Sequence, residues 1–229
     1  MESVTVVIPA KNEAASIGAV IDGARAACGD VLVVDGNSDD GTAAVALAHG
    51  ARVIRDEGRG KGLAIRAALP HLSRPVTVFM DGDASHDPRM IASLVAPIEA
   101  GEADHVTGSR LLGGSSELHG GFDEFMRLTG SSFITALINW RCHVRLSDSQ
   151  NGFRAIRTDV LRQLNLTERI TTIEQEMIVK TLRGGWRMAE VPAHESKRAH
   201  GVSHVRLGRV WFRYGYSLVK HLYFSRPRR

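Results

Sequence analysis

Short, almost wholly apolar runs separated by helical periodicity constrain this chain more than any other feature. VTVVI (Val4 to Ile8), VLVVD (Val31 to Asp35) and VTVFM (Val76 to Met80) show no polar alternation, the signature of strands buried on both faces. Between them, Ala14 to Ala27 carries Ile17, Val20 and Ile21 at helical spacing, and Thr42 to His49 and Lys61 to Leu69 read as further helices. A short strand is expected at Arg52 to Arg55 and a fifth at His105 to Thr107. Strands alternating with helices imply an α/β fold: a Rossmann-like, mainly parallel sheet with right-handed crossovers and helices on both faces. Pro9 is expected to end the first strand.

In such sheets ligands bind beyond the carboxyl ends of the strands. Polar clusters fall at those ends: PAKNE after the first strand, DGNSDDGT after the second, DGDASHDP after the fourth and GSR after the fifth. Later elements are less regular. The spacing predicts helices over Phe122 to Trp140, with a break near Gly130, and over Thr172 to Arg183, a strand over Trp186 to Val191, and a mixed helical stretch over Val205 to Phe224. No internal repeat or linker is visible, so one domain over residues 1–229 is expected, with 205–229 as a basic aromatic helix or tail.

The net charge of +4 hides an asymmetry. Ser196 to Arg229 holds nine of the 29 Lys/Arg and none of the 25 acids, leaving the preceding residues with 20 Lys/Arg against 25 acids. A basic end points to phosphates of a nucleotide, a lipid head group or a nucleic acid, or is simply a solvated surface; no nucleic-acid module is recognisable, and none is expected as a partner. Cys28 and Cys142 lack the spacing of a zinc or redox site, which fits a reducing cytoplasmic compartment. No signal peptide is expected. The longest uncharged apolar-rich run, Leu128 to Trp140, has thirteen residues, short of the roughly 20 that a spanning helix needs.

FMDGDASHDP sets Asp81, Asp83 and Asp87 just past a strand. Asp87 before Pro88 reads as a helix cap. Asp81 and Asp83, separated by Gly82, read as oxygen ligands for Mg²⁺ or Mn²⁺ shared with substrate phosphates. A dinucleotide fingerprint and a P-loop both fail: PAKNEA replaces the glycine pattern, and Gly62 stands where a P-loop requires Ser or Thr.

VVIPAKNEAASI, VLVVDGNSDDGT, GRGKGLAIRAAL, FMDGDASHDP, GSR and DSQNGFRAI, in that order, resemble family 2 glycosyltransferases of the GT-A (nucleotide-diphospho-sugar transferase) fold. Within them they resemble the dolichyl- or polyprenyl-phosphate branch, dolichol-phosphate mannosyltransferases included, and the resemblance extends to about Leu207. It implies a metal-dependent, inverting enzyme moving a hexose from a nucleotide-diphosphate sugar, of the GDP-mannose or UDP-glucose type, to a polyprenyl or dolichyl phosphate. A soluble acceptor is the alternative within the class; a non-catalytic nucleotide-sugar-binding protein is the alternative outside it.

By the same resemblance Pro9, Asn12, Glu13, Asp35 and Asp40 line the base and ribose pocket, joined by Lys61, Asp81, Gly82 and Glu176 as nucleotide-sugar contacts. Asp81 and Asp83 match the metal-binding D-x-D, with Ser85 where a third polar ligand often stands. Arg110, Arg127 and Arg154 are candidates for phosphate, each with a surface ion pair as its bland alternative. Asp148 falls where inverting relatives place a base or sugar-orienting carboxylate; with Asp83 it completes the expected catalytic pair. A phosphate monoester, with a second pKa of about 6, needs no strong base, so Asp148 is expected to position the acceptor or a sugar hydroxyl. Glu174 reads equally as a helix-start acid. Arg198, Gly201 and Ser203 match a phosphate-closing loop in which His204 replaces the usual lysine.

VRLGRVWFRYGYSLVKHLYF interleaves aromatics with Arg206, Arg209, Arg213 and Lys220. It suits either a helix at an anionic membrane surface or one packed on the protein body. Membrane contact, where it occurs, is expected to be peripheral, at the cytoplasmic face. The oligomeric state is open.

Overall fold

The computed structural model describes residues 1–116, 122–196 and 207–224, with 122–127 and 207–211 described by their backbone. The elements in chain order are β1 (Val4–Ala10), α1 (Ile17–Ala27), β2 (Asp30–Asp35), α2 (Thr42–Ala48), β3 (Arg52–Arg55), α3 (Lys61–Ala68) and β4 (Val76–Phe79). There follow α4 (Ile91–Glu99), β5 (His105–Ser109), α5 (Arg110–Gly113), α6 (Phe122–Cys142), β6 (Arg154–Arg157), α7 (Thr158–Gln163), α8 (Ile173–Arg183), β7 (Met188–Pro192) and α9 (Leu207–Val219).

The strands form one seven-stranded sheet in the order β3-β2-β1-β4-β6-β5-β7. All neighbours pair in parallel except β6, which runs antiparallel to both β4 and β5. Side chains alternate between the two faces. Val6 and Ile8 pack under α1 and α4, while Val7, Leu32 and Phe79 pack under α3, α7 and α8. Both faces are therefore covered, as the unalternating runs predict.

Four details differ from the sequence reading. β1 runs through Pro9 to Ala10, because Pro9 is paired opposite Val34 and its missing N–H is tolerated near the strand end. α6 is an unbroken helix of 21 residues that runs through Gly130. β7 begins at Met188, leaving Trp186 to pack on the sheet's flanking cluster. The inserted strand β6 was not expected at all: RAIR offers only Ala155 and Ile156 as core residues, both fully buried. Its reversal matters, since its first residue lies at the edge where the other strands end, bringing the preceding Asp148–Phe153 segment to that edge. Asp87 does cap the turn that follows it, accepting from the Arg89 N–H at 3.0 Å.

α9 and the π turn Lys220–Phe224 divide by face. Leu218 and Leu222 pack with Ile138 of α6 and with Ile178 and Val179 of α8, while Phe212, Tyr216 and Tyr223 are exposed. The buried side is tied down by charge: Lys220 Nζ and His221 Nε2 each lie 2.9 Å from Glu168 Oε1. Burial would raise the Glu168 carboxyl, but the Lys220, His221 and Thr172 hydrogen bonds outweigh it and push it from 4.5 down to about 2. A depressed carboxyl contributes stability that is complete above its unfolded value and is lost as pH falls through the folded one. Between pH 5 and 2 the Glu168→Gln variant should therefore lose stability with a slope shallower by up to about one proton than the parent, measured by urea unfolding at each pH. Identical slopes would contradict this anchor.

Candidate functional site

A cavity of about 770 Å³ opens at the carboxyl edge of the sheet, within the size range of small-molecule sites. The end of β1 supplies Pro9 and the loop after it Lys11, Asn12 and Glu13, and the loop after β4 supplies Asp81, Gly82 and Asp83. The first loop is braced by the segment after β2. Asn12, at φ 56°, takes its N–H to Ser38 Oγ at 2.9 Å and accepts from the Asp39 N–H at 3.1 Å. The Ala14 N–H donates to Asp40 at 2.9 Å, and Asp40 also accepts from the Thr42 hydroxyl at 2.5 Å. Against the upward push of burial, those bonds hold Asp40 below the usual carboxylate range.

Lys61 opens α3 and bridges two carboxylates, Asp81 Oδ1 at 2.5 Å and Glu174 Oε1 at 2.7 Å. Burial alone would lower its pKa; the two carboxylates raise it above the ordinary lysine value. The glycines around it are steric requirements. A Cβ on Gly60 or Gly62 would approach the carbonyl oxygen of Arg169 or Glu168 to 2.5 or 2.6 Å. A Cβ on Gly152 would lie 2.5 Å from Lys61 Nζ and 3.1 Å from Asp81 Oδ2. The NGF segment thus leaves room for the charged cluster. Phe153 also stacks on His86 at 4.9 Å, and His86 Nδ1 accepts from the Asp81 N–H at 3.1 Å, coupling this segment to the aspartate loop.

Asp148 is 3% exposed. Its oxygens accept from Arg110 Nε at 2.7 Å, Arg110 Nη2 at 3.0 Å, the Arg110 N–H at 3.2 Å and the Gln150 N–H at 3.0 Å. Burial pushes the carboxyl up, but the Arg110 hydrogen bonds and charge overcome it and hold it below the ordinary aspartate value. Glu190 of β7 fixes the same loop, accepting from the Ser147 and Asp148 N–H groups at 2.6 and 2.8 Å. Arg110 Nη1 points toward Glu195, 3.5 Å away, and both residues line the cavity.

Pro9, Asn12, Glu13, Lys61, Asp81, Gly82, Asp83, Arg110 and Asp148 therefore share one cavity wall. Several other expected residues do not. Glu176 is fully buried; it accepts from the Thr167 and Glu168 N–H groups at 2.9 and 2.8 Å and pairs with Lys180 at 2.7 Å. Two residues along a helix turn the side chain about 200°, so Glu174 is the α8 acid that reaches the cavity. Arg154 is 1% exposed and spends its guanidinium on the Glu174 and Asn151 carbonyls. Asp35 is fully buried, with the Ser38 N–H 3.4 Å and Arg55 Nε 3.6 Å from its carboxylate, and Asp40 serves as a loop brace. Ser85 is buried off the wall and gives its N–H to Asp83 Oδ1 at 3.1 Å. The Arg127 side chain, Arg198, Ser203 and His204 lie outside the described residues. Tyr214 of α9 was not anticipated: it lines the cavity and donates its hydroxyl to Thr171 at 2.7 Å.

Among the described residues no three His, Cys, Asp or Glu side chains gather as a closed cation cage. Asp81 and Asp83, on a wall kept clear by Gly152, fit a hard cation that takes its remaining oxygens from a diphosphate.

The family model described as Glycosyl transferase family 2 matches residues 5–164. An uncharacterized glycosyltransferase of Mycobacterium tuberculosis is 32% identical over 207 residues, covering 89% of this chain and 90% of its own. A dolichyl-phosphate hexose transferase of Haloferax volcanii is 30% identical over 201 residues, covering 86% of this chain and 85% of its own. Among solved structures, glucosyl-3-phosphoglycerate synthase from Mycobacterium tuberculosis, in complex with Mn²⁺, uridine diphosphate and phosphoglyceric acid, superposes with a TM-score of 0.78 at 25% identity, covering 98% of this chain and 80% of its own. The fold is that of the GT-A glycosyltransferases. The chain belongs to glycosyl transferase family 2 and is a glycosyltransferase.

The two acids of α8 should separate experimentally. Glu176→Ala leaves Lys180 without its buried partner and should cost about 3–5 kcal/mol of unfolding free energy in urea. Glu174→Ala, which leaves Lys61 paired with Asp81, should cost markedly less. Equal losses would contradict the placement.

Proposed function

We propose that this enzyme transfers a hexose from a nucleotide-diphosphate sugar, of the UDP-glucose or GDP-mannose type, to a polyprenyl or dolichyl phosphate, with inversion at the anomeric carbon. The observation that carries the acceptor is the state of Asp148. Its oxygens are committed to Arg110 and Gln150, and its pKa is lowered. A carboxylate so engaged is poorly placed to take a proton from an alcohol, whereas a phosphate monoester arrives largely ionised.

In this reading a phosphate oxygen of the acceptor attacks the anomeric carbon while the bond to the donor diphosphate breaks on the opposite side, the bonding pair leaving with the nucleotide. Arg110, oriented by Asp148 and with Nη1 3.5 Å from Glu195, supplies the positive charge on the cavity wall that meets the acceptor phosphate. Lys61 faces the diphosphate beside Asp81. Asp81 and Asp83 would hold Mg²⁺ or Mn²⁺, which would supply Lewis-acid neutralisation of the diphosphate charge. The Mn²⁺ and uridine diphosphate of the structural neighbour and the hexose transferase activity in the archaeal relative's name support the reading.

A lipid acceptor requires contact with a membrane surface, and no helix among the described residues is long and apolar enough to cross one. Phe133 and Trp140 on α6 and Phe212, Tyr216 and Tyr223 on α9 and its π turn are all exposed. Arg141 sits 5.5 Å from the Tyr223 ring centre. Aromatics with arginine at their rim suit head-group level at the cytoplasmic face, and both helices also line the cavity.

The test is an assay of purified protein with Mn²⁺, labelled UDP-glucose or GDP-mannose, and either polyprenyl phosphate or the matching polyprenol. Label should pass into organic solvent with the phosphate alone. Transfer to the polyprenol at a comparable rate, or only to water-soluble acceptors, would overturn the proposal.

A further inference from the structure

Asp56 follows β3 and lies on the cavity wall. Its Oδ1 accepts from the Gly58 N–H at 2.8 Å, but Oδ2 is shielded from water and has no hydrogen-bond partner. An acceptor so placed pays its desolvation without return, and native structures seldom leave one unexplained. The χ2 torsion of an aspartate is broad, and a donor on a ligand in the cavity would supply the bond that Oδ2 lacks.

The surroundings describe what would meet it. Pro9 and Val34, paired across β1 and β2, line the same cavity with Gly36 and Ala64. Lys11 Nζ donates to the Gly58 carbonyl at 3.1 Å, closing the turn that holds Asp56. The result is a slot with small apolar walls and one outstanding acceptor at its rim. Asp35, expected in the base and ribose pocket, has the Ser38 N–H and Arg55 Nε beside its carboxylate.

We propose that Asp56 reads the donor nucleobase, its Oδ2 accepting a hydrogen bond from a ring N–H beside a carbonyl, as in uracil or guanine. Resting on the nucleotide-sugar reading above, this assigns the residue that separates uracil and guanine from cytosine and adenine. Cytosine and adenine present a ring lone pair at the corresponding position, which would oppose the carboxylate oxygen. A site built to hydrogen-bond a donor rejects an analogue lacking it more strongly than an apolar slot rejects a change of shape.

Equilibrium binding of UDP, GDP, CDP and ADP in the presence of Mn²⁺ tests this on the full chain, with N3-methyl-UDP and N1-methyl-GDP as analogues that lack the ring N–H. The parent should prefer UDP or GDP over CDP and ADP, and methylation should weaken the preferred nucleotide by about 10- to 100-fold. In Asp56→Ala that affinity should fall by a similar factor and the methyl analogue should suffer little further loss, since the paired group is gone. Asp56→Asn, which keeps the side-chain size and can turn an N–H toward the base, should shift preference toward CDP or ADP and serves if the alanine variant does not fold. Unchanged affinity and methyl discrimination in a folded Asp56 variant would overturn the assignment and leave the transferase reading standing. A parent that prefers CDP or ADP would also overturn it. Failure of the parent to bind any of the four nucleotides would overturn both.

Discussion

Asp148 is surrounded by donors, and the part of the cavity wall proposed to meet the acceptor depends on that arrangement. A buried carboxylate is costly unless paired and hydrogen-bonded; here Arg110 supplies both charge and a two-pronged grip, with the Gln150 N–H adding a further bond. The pair joins the end of β5 to the segment entering β6, and Glu190 of β7 fixes that segment from the far side. Three strands thus position one guanidinium on the cavity wall. The arrangement ties both Asp148 carboxylate oxygens to Arg110.

Lys61 does comparable work where the donor is proposed to bind. It joins the start of α3, the end of β4 and the first turn of α8 through Asp81 and Glu174. The close approach is permitted by Gly60, Gly62 and Gly152, where a side chain would collide with backbone or with the charged cluster itself. The lysine occupies the neighbourhood of the acids proposed to hold the cation, and its charge suits the diphosphate that would accompany that cation. Opposite charges are therefore organised by backbone geometry that only glycine allows.

Much of this was legible in the sequence because burial on both faces writes a simple pattern. β1, β2 and β4 appear as unbroken apolar runs, and the polar clusters at their ends mark the site. β6 was illegible: two core residues between arginines carry no periodicity, and its place in the interior of the sheet follows from pairing with both β4 and β5. The same limit explains Arg154, whose motif suggested phosphate but whose strand buries it against carbonyls. Glu174 and Glu176 differ by two residues, and the register of α8 sends one to the cavity and the other to Lys180. Asp56 and Tyr214 carried no motif signal, one because its distinction is an absent partner, the other because it arrives from a distant helix.

The central claim is that the acceptor brings its own charge and that no protein base is needed to create the nucleophile. The most direct measurement is the pH dependence of kcat at saturating donor and Mn²⁺, with polyprenyl phosphate and with a phosphonate analogue of higher second pKa as acceptors. The account predicts a rate that rises and levels near pH 6, where a phosphate monoester loses its second proton, with the phosphonate profile displaced upward by the difference between the two acceptor pKa values. A rising limb at the same pH for both acceptors would assign the controlling proton to the protein and contradict the account.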